Sequence, residues 1–492
     1  MSNAETFNVE RNSEGMIFEI LQKATNGSSA ARLGRLSLPK RNPIETPNYI
    51  AVASRGVVPH VTPDNIEKYT SIGAVYMALE DFIEKKNPSV LSIPSPDKKP
   101  LHTFACLPDG VATILAPRRC PAIKTPVGNG AKFMAIFTST GFRNLTTDEY
   151  SAAVETLKPD IAIGPADLFH TSTMPVPKKL VRMAERTEEW TDAFLTLKGR
   201  EAFKESGVSV FAPVLAVPHP IQWEHLRHLA EDVIDSISGL AIYDVDLLPD
   251  IEDSYEPLVS LPRLSLHIPS TPQAILRQIS LGVDVCTIPF MNTISDAGVA
   301  LSFTFPPPST QSNAILPLGE DMWSPEHETS LKPLVEGCQC YACTIHHRAF
   351  LHHLLNAKEM LGWTLLQIHN HHIMKEFFTG IRTTLAEEPS AEKFEEQAKR
   401  FAAVYEPELP QGTGTRPRAR GYHFKPDPNP SRINPPAWER FSTGGEAVAN
   451  GVAVAAVAVE GMETPLVPDV GSLKLEEKGF AEVAHDKQKP DP

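Results

Sequence analysis

Val208-Ser-Val-Phe-Ala-Pro-Val-Leu-Ala-Val217 is apolar at every position but Ser209. A strand with one wet face alternates apolar and polar residues, whereas a strand buried on both faces reads as a continuous apolar run. Runs rich in Val, Ile and Phe, several of them continuous rather than alternating, lie on both sides of it: 48–53, 74–79, 132–138 and 160–164 before, and 239–245, 263–268 and 283–290 after. Helical patterns fall between most of them. Two open on Thr62-Pro63 and Thr271-Pro272, where Thr can cap exposed N–H groups and Pro fits the first helical turn. Residues 220–237 carry Ile221, Leu229, Val233 and Ile237 near helical spacing. Eight strands with interposed helices make this an α/β chain and point to a (β/α)8 TIM barrel over residues 1–330, with an irregular N-terminus. A doubly wound open sheet has the same local signature, so the pattern alone leaves both open.

The text changes after residue 330. Cys338-Gln-Cys340-Tyr-Ala-Cys343 puts three thiols within six residues. They can converge on one ion if a turn folds them together, and a tetrahedral zinc site then needs a fourth ligand. Two helical patterns follow. The first has apolar residues at 350, 351, 354, 355 and 361, with Gly362 placed to end it. The second carries Leu365, Leu366, Ile373 and Phe377 on one side, shared by His369. On spacing alone His369 competes with His346, His347, His352, His353, His371 and His372. Residues 331–387 are therefore expected to form a zinc-binding subdomain whose helices close the barrel.

The chain has 492 residues and a formal net charge of −14, so it repels a phosphate backbone on average. Any nucleic-acid contact must use a local basic patch. Lys178, Lys179, Arg182 and Arg382 are candidates, and read first as a solvated charged face. Three of the six cysteines are clustered and Cys106, Cys120 and Cys286 stand alone, which fits a metal site in a reducing, cytoplasmic setting and not a disulfide framework. The start lacks a basic region followed by an apolar run, and no stretch reaches the roughly 20 apolar residues that span a bilayer, so neither a signal peptide nor an integral membrane segment is expected. Residues 388–492 are rich in proline and include Arg416-Pro-Arg-Ala-Arg420, so a mostly disordered tail is expected.

Around the cysteines the chain resembles the tRNA-guanine transglycosylases. The match runs over Cys-x-Cys-x2-Cys, Arg348-Ala-Phe-Leu-His-His-Leu354, Glu359 and His369-Asn370. It extends to Phe18-Glu-Ile20, residues 31–38, Glu45-Thr-Pro47, Thr271-Pro272 and Gly282-Val-Asp284. The resemblance implies a (β/α)8 barrel with an inserted zinc subdomain, and one structural Zn2+ held by Cys338, Cys340, Cys343 and His369.

Members of that family replace an anticodon guanine, using an aspartate nucleophile in a pattern like Gly-Val-Asp-x-Phe-Asp-Cys, followed by arginines. Here Gly282-Val-Asp-Val-Cys-Thr287-Ile-Pro-Phe puts Thr287 at the nucleophile position, and the arginines are absent. The family's Asp-Ser-Gly-Gly-Phe-Gln pocket segment, expected near 105–115, meets Leu107-Pro-Asp109-Gly110-Val instead. Its Gly-Gly-Leu loop meets Tyr243-Asp-Val-Asp246. Asp284 reads as structural, Cys286 as a buried strand cysteine, and Asp109 as a candidate base. No catalytic residue is therefore assigned.

The resemblance is closest to the family's non-catalytic, accessory members. It implies a heterodimer with a catalytic, queuine-inserting paralogue, joined near residues 331–385 and acting on tRNA with a GUN anticodon. It also implies a cytoplasmic location, with peripheral association at the mitochondrial outer membrane known among such members. The alternatives are an active transglycosylase with a relocated nucleophile and a zinc-stabilised adaptor without a tRNA role.

Overall fold

The computed structural model describes residues 15–417, apart from 24–28, 85–86, 96–98, 126–127, 170–173 and 310–314. Residues 418–492, most of the expected tail, lie outside the described residues.

Eight parallel strands close into a barrel in chain order: β1 (Asn48–Val52), β2 (Ala74–Ala78), β3 (Ala112–Ala116), β4 (Ile161–Ile163), β5 (Ser209–Val214), β6 (Gly239–Ile242), β7 (Arg263–Ser265) and β8 (Val285–Thr287). The closing pair is β8 with β1, with Val285 opposite Asn48 and Thr287 opposite Ile50. The continuous apolar runs follow from this closure. Ile50, Ala74, Ile114, Ile163, Phe211, Ala241, Leu264 and Val285 fill the interior, while Tyr49, Val75, Leu115, Ala162, Ala212, Leu240 and Cys286 pack outward against the helices. Both faces of each strand are dry, so alternation in orientation leaves no alternation in polarity.

One expected barrel strand is replaced by another. Phe133–Thr138 is not in the barrel; it pairs antiparallel with Gly141–Thr146 in a separate hairpin. Its place is taken by Ala112–Ala116, which lies between β2 and β4. The hairpin strand is buried along Met134–Thr138, and the Phe137 N–H donates to the buried Glu80 carboxylate at 2.9 Å. A strand pressed onto the barrel's flank is as dry as one inside its wall, so its text misleads. The N-terminus is more regular than expected: Ile17–Lys23, Arg32–Ser37 and Ile44–Thr46 form a three-stranded antiparallel sheet.

The helices that position the sites are α1 (Pro177–Phe194) after β4, α2 (His219–Glu231) after β5, and α3 (Phe290–Ala297) after β8. Next come α4 (Tyr341–Ile345) and α5 (Arg348–Asn356), and then α6 (Met360–Ala386) and α7 (Ser390–Val404). Gly362 does not end a helix. α5 stops at Asn356, Lys358 takes a left-handed φ of 58°, and Gly362 lies in the first turn of α6. A Cβ there would sit 3.2 Å from Leu354 Cβ, so glycine lets α5 and α6 approach closely.

α6 is shared between two cores. Trp363, Leu365 and Leu366 pack with Leu334, Cys340 and Leu351, while Phe377, Phe378, Ile381 and Leu385 belong to the barrel's outer core. Order also continues past residue 388. Phe394 and Phe401 of α7 are fully buried against Phe305 and Phe377, with Phe377–Phe401 centroids 5.7 Å apart. Each such ring contributes roughly 2–3 kcal/mol by burial, enough to hold a proline-flanked helix in place.

Candidate metal centre and barrel mouth

Cys338 follows Gly337, whose φ of 78° makes the turn that folds the loop back. Cys340 then caps α4, and the Cys343 N–H donates to its Sγ at 3.3 Å. This short helix brings the second and third thiols to the same side as the first. Arg348 anchors the loop from α5: its guanidinium pairs with Glu320 and donates to the carbonyls of Pro333 at 2.9 Å and Leu334 at 2.7 Å.

His369 comes to the three sulfurs from α6. Its Nδ1 lies 3.8, 3.4 and 3.5 Å from the Sγ atoms of Cys338, Cys340 and Cys343. A tetrahedral ion with sulfur at about 2.3 Å and nitrogen at about 2.0–2.1 Å would separate such pairs by about 3.6 Å. All four ligand atoms lie within 4.8 Å of one another. On the far side of the ring, Nε2–H donates to the Leu301 carbonyl at 2.9 Å, which fixes the tautomer that turns the Nδ1 lone pair toward the thiols. Burial opposes a charge on His369, while the Cys338 and Cys343 sulfurs favour positive charge at this point. The cluster calls for a cation, and these four residues can hold a metal ion. Among the described residues none of the six histidines that compete on spacing belongs to the four-ligand group, although the His372 side chain lies within hydrogen-bond reach of Cys338.

The C-terminal ends of the strands form the mouth, where TIM barrels carry chemistry. Thr287 ends β8. By alternation it faces the interior with Val285, while Cys286 faces out. Thr287 is fully buried, and its Oγ1 has no hydrogen-bond partner among the described residues. A hydroxyl with no base within reach has no means of activation as a nucleophile. Cys286 is no replacement, because burial, and then Asp284, push its thiol up and keep it protonated.

Asp284 and Asp109 lie at the other end of the barrel. Asp284 precedes β8 and forms a buried, two-pronged ion pair with Arg32, at 2.8 and 2.6 Å, while accepting the Arg263 N–H at 2.7 Å. That geometry fits its structural reading. Asp109 precedes β3, where its carbonyl accepts from Arg41, so it is too far along the barrel to act as a base at the mouth. This corrects the register of the pocket segment as well. The residues leaving β3 at the mouth are Pro117-Arg118-Arg119-Cys120, not 105–115, and they too lack Gly-Gly-Phe-Gln.

Those residues line a cavity of about 160 Å3 with Tyr76, Leu168, Phe169, Tyr243 and Leu266. Arg118 is buried in its wall, and the Tyr76 hydroxyl donates to the Arg118 carbonyl at 2.6 Å. Arg119 pairs with Asp81 at 2.5 Å. Tyr243 occupies the loop after β6, while Asp244 accepts the Asp246 N–H and Asp246 pairs with Arg277. Cationic and aromatic side chains thus stand where a guanine-exchanging pocket would need a carboxylate and close backbone approach. Sequence reasoning missed Arg118 and Arg119 because β3 was not identified. An apolar run ending in Pro-Arg-Arg was the available signal.

Residues 27–407 match the family model described as queuine tRNA-ribosyltransferase. A Schizosaccharomyces pombe protein named queuine tRNA-ribosyltransferase accessory subunit 2 is 35% identical over 83% of this chain and 89% of its own length. Proteins of the same name from Culex quinquefasciatus and Drosophila mojavensis are 27% and 25% identical, over 75% and 73% of this chain and 88% and 87% of theirs. Among the described residues no helix is long and apolar enough to cross a membrane. With the barrel, the Cys3His cluster and these matches together, the chain belongs to the queuine tRNA-ribosyltransferase family.

Proposed function

We propose that this chain is the non-catalytic accessory subunit of a heterodimeric queuine tRNA-ribosyltransferase. It supports tRNA binding while a catalytic paralogue exchanges the anticodon guanine of GUN tRNAs for queuine. The observation that carries this reading is Thr287 at the C-terminal end of β8, where the family's nucleophile is expected, its Oγ1 without a hydrogen-bond partner among the described residues. Arg118 and Arg119, the latter paired with Asp81, stand at the mouth where the family's glycine-rich pocket segment is expected, which points the same way.

The ion we assign to Cys338, Cys340, Cys343 and His369 is Zn2+, because three thiolates and an imidazole are its ordinary structural donors. A site with four protein ligands leaves no open position, so the ion acts in folding and assembly of residues 331–387. The same region offers a partner surface. Tyr69, Tyr341, His346 and Phe350 meet in a row, stacked at both ends and edge-on between Tyr341 and His346, with centroids 4.4, 5.7 and 5.1 Å apart. Leu331, Ile345 and Met360 are exposed in the same unit. Aromatic and apolar exposure of this kind fits a protein interface better than a free surface. We place the protein in the cytoplasm, with membrane contact only peripheral.

Covalent trapping of tRNA tests this reading. The paralogue is expected to form the adduct, and this chain to form none, alone or in the complex. An adduct on this chain would establish an active transglycosylase with a relocated nucleophile.

A further inference from the structure

Lys178, Lys179 and Arg182 occupy the first two turns of α1, and all three are exposed. None has an ion-pair partner among the described residues, and the first turn of α1 has no acidic residue. That placement opposes folding preference, because the positive end of the helix dipole favours anions and repels cations. The same chain does the opposite at the helix Thr147–Leu157, which opens with a Thr146–Glu149 capping box and Asp148 in its first turn. Three unpaired cations added to a helix N-terminus make a concentrated positive field on a chain of net charge −14.

The position of this patch is as informative as its charge. α1 follows β4, and Leu168 and Phe169 in the segment leaving β4 line the mouth cavity, so the start of α1 stands on the rim of the barrel's C-terminal face. α2 lies beside α1, tied to it by His228 with Asp192 at 2.9 Å. On α2, Ile221 and His228 face α1, while Trp223 and Arg227, with the guanidinium 5.4 Å from the ring centroid, lie on the flank toward Tyr255. Exposed cations of this kind are the ordinary means by which a protein tracks the phosphates of a nucleic-acid backbone.

We propose that Lys178, Lys179 and Arg182 form the surface through which this chain grips the sugar–phosphate backbone of tRNA. The proposal rests on the accessory-subunit reading and supplies its RNA contact. The exposed Met174 and Val176 next to the cations would also suit an anionic bilayer, so lipid is the competing occupant that the experiment must separate.

The test uses the full chain assembled with its catalytic paralogue, and reads tRNA affinity across a salt series. K178E/K179E/R182E is expected to weaken tRNA binding about tenfold or more and to flatten the salt dependence, with the heterodimer intact by light scattering. K178Q/K179Q/R182Q should fall between the two, because it removes charge without reversing it. Unchanged affinity and salt slope in the charge-reversed complex would overturn the proposal. So would wild-type binding to phosphatidylserine vesicles that the charge reversal abolishes while tRNA affinity stays constant, which would assign the patch to lipid. If the wild-type complex binds tRNA no more tightly than the paralogue alone, the accessory reading itself fails, and that result does not depend on the variants.

Discussion

The His369 side chain and the Leu301 carbonyl meet at 2.9 Å, and the neighbouring Asn370 accepts the Leu301 N–H at the same distance. Consecutive residues of α6 thus clasp both polar groups of one residue in the short strand Val299–Leu301. The clasp orients the metal-facing imidazole and joins the Cys3His unit to the segment leaving the barrel. Asn370 adds donations to Ser295 Oγ and the Val299 carbonyl at 2.9 and 3.0 Å, which reach back to α3.

Removing a ligand and removing the clasp should therefore differ. Cys340→Ser should lower metal affinity on the order of 100-fold or more, so that zinc measured by mass spectrometry falls far below one per chain. Asn370→Ala should keep the metal but lose about 2 kcal/mol or more, because it leaves the buried Leu301 N–H and Val299 carbonyl unpaired. Full zinc content in Cys340→Ser would contradict the ligand assignment.

Asp284 offers a test of structural against catalytic use. Asp284→Ala strands the buried Arg32 guanidinium and should cost about 3–5 kcal/mol in a denaturant titration. Base exchange by the complex, per folded heterodimer, should be unchanged. A large loss of turnover without a loss of stability would return Asp284 to the chemistry.

Thr287→Asp should not confer base exchange on this chain alone. The substitution restores one carboxylate, but Arg118, Tyr243 and the missing glycine-rich segments leave the mouth unsuited to a guanine. Measurable exchange by Thr287→Asp alone would show that a single residue accounts for the silence of this barrel.

His225 predicts a pH effect on stability. It is fully buried, donates to the Pro213 carbonyl at 3.0 Å, and burial lowers its pKa to about 4. Folded protein therefore binds this proton less readily than unfolded chain, whose histidine titrates near 6.5. The contribution is complete above about pH 6.5 and is lost as pH falls toward 4, by up to about 3 kcal/mol. His225→Gln keeps a donor without the charge, so melting temperature should depend less steeply on pH in that window.

Much of this was legible in the chain. The continuous apolar text of 208–217 or 239–245 identified strands dry on both faces, and Cys338, Cys340 and Cys343 announced a metal site by spacing alone. His369 was not separable from six other histidines by spacing, because what selects it is the angle at which α6 crosses the cysteine loop. The 132–138 hairpin was mistaken for a wall strand because burial by packing onto a barrel looks the same as burial within one. That error hid β3, displaced the pocket register to 105–115, and left Asp109 as a candidate base at the wrong end. α7 was hidden by its polar, proline-flanked sequence, in which only Phe394 and Phe401 mark the buried side.

The most direct test is base exchange into a GUN tRNA by this chain alone, by the catalytic paralogue alone, and by the two mixed at equal concentration. The account predicts no exchange by this chain and full activity only in the mixture. Exchange by this chain alone would contradict it, and would mean that a group other than Thr287 attacks the ribose.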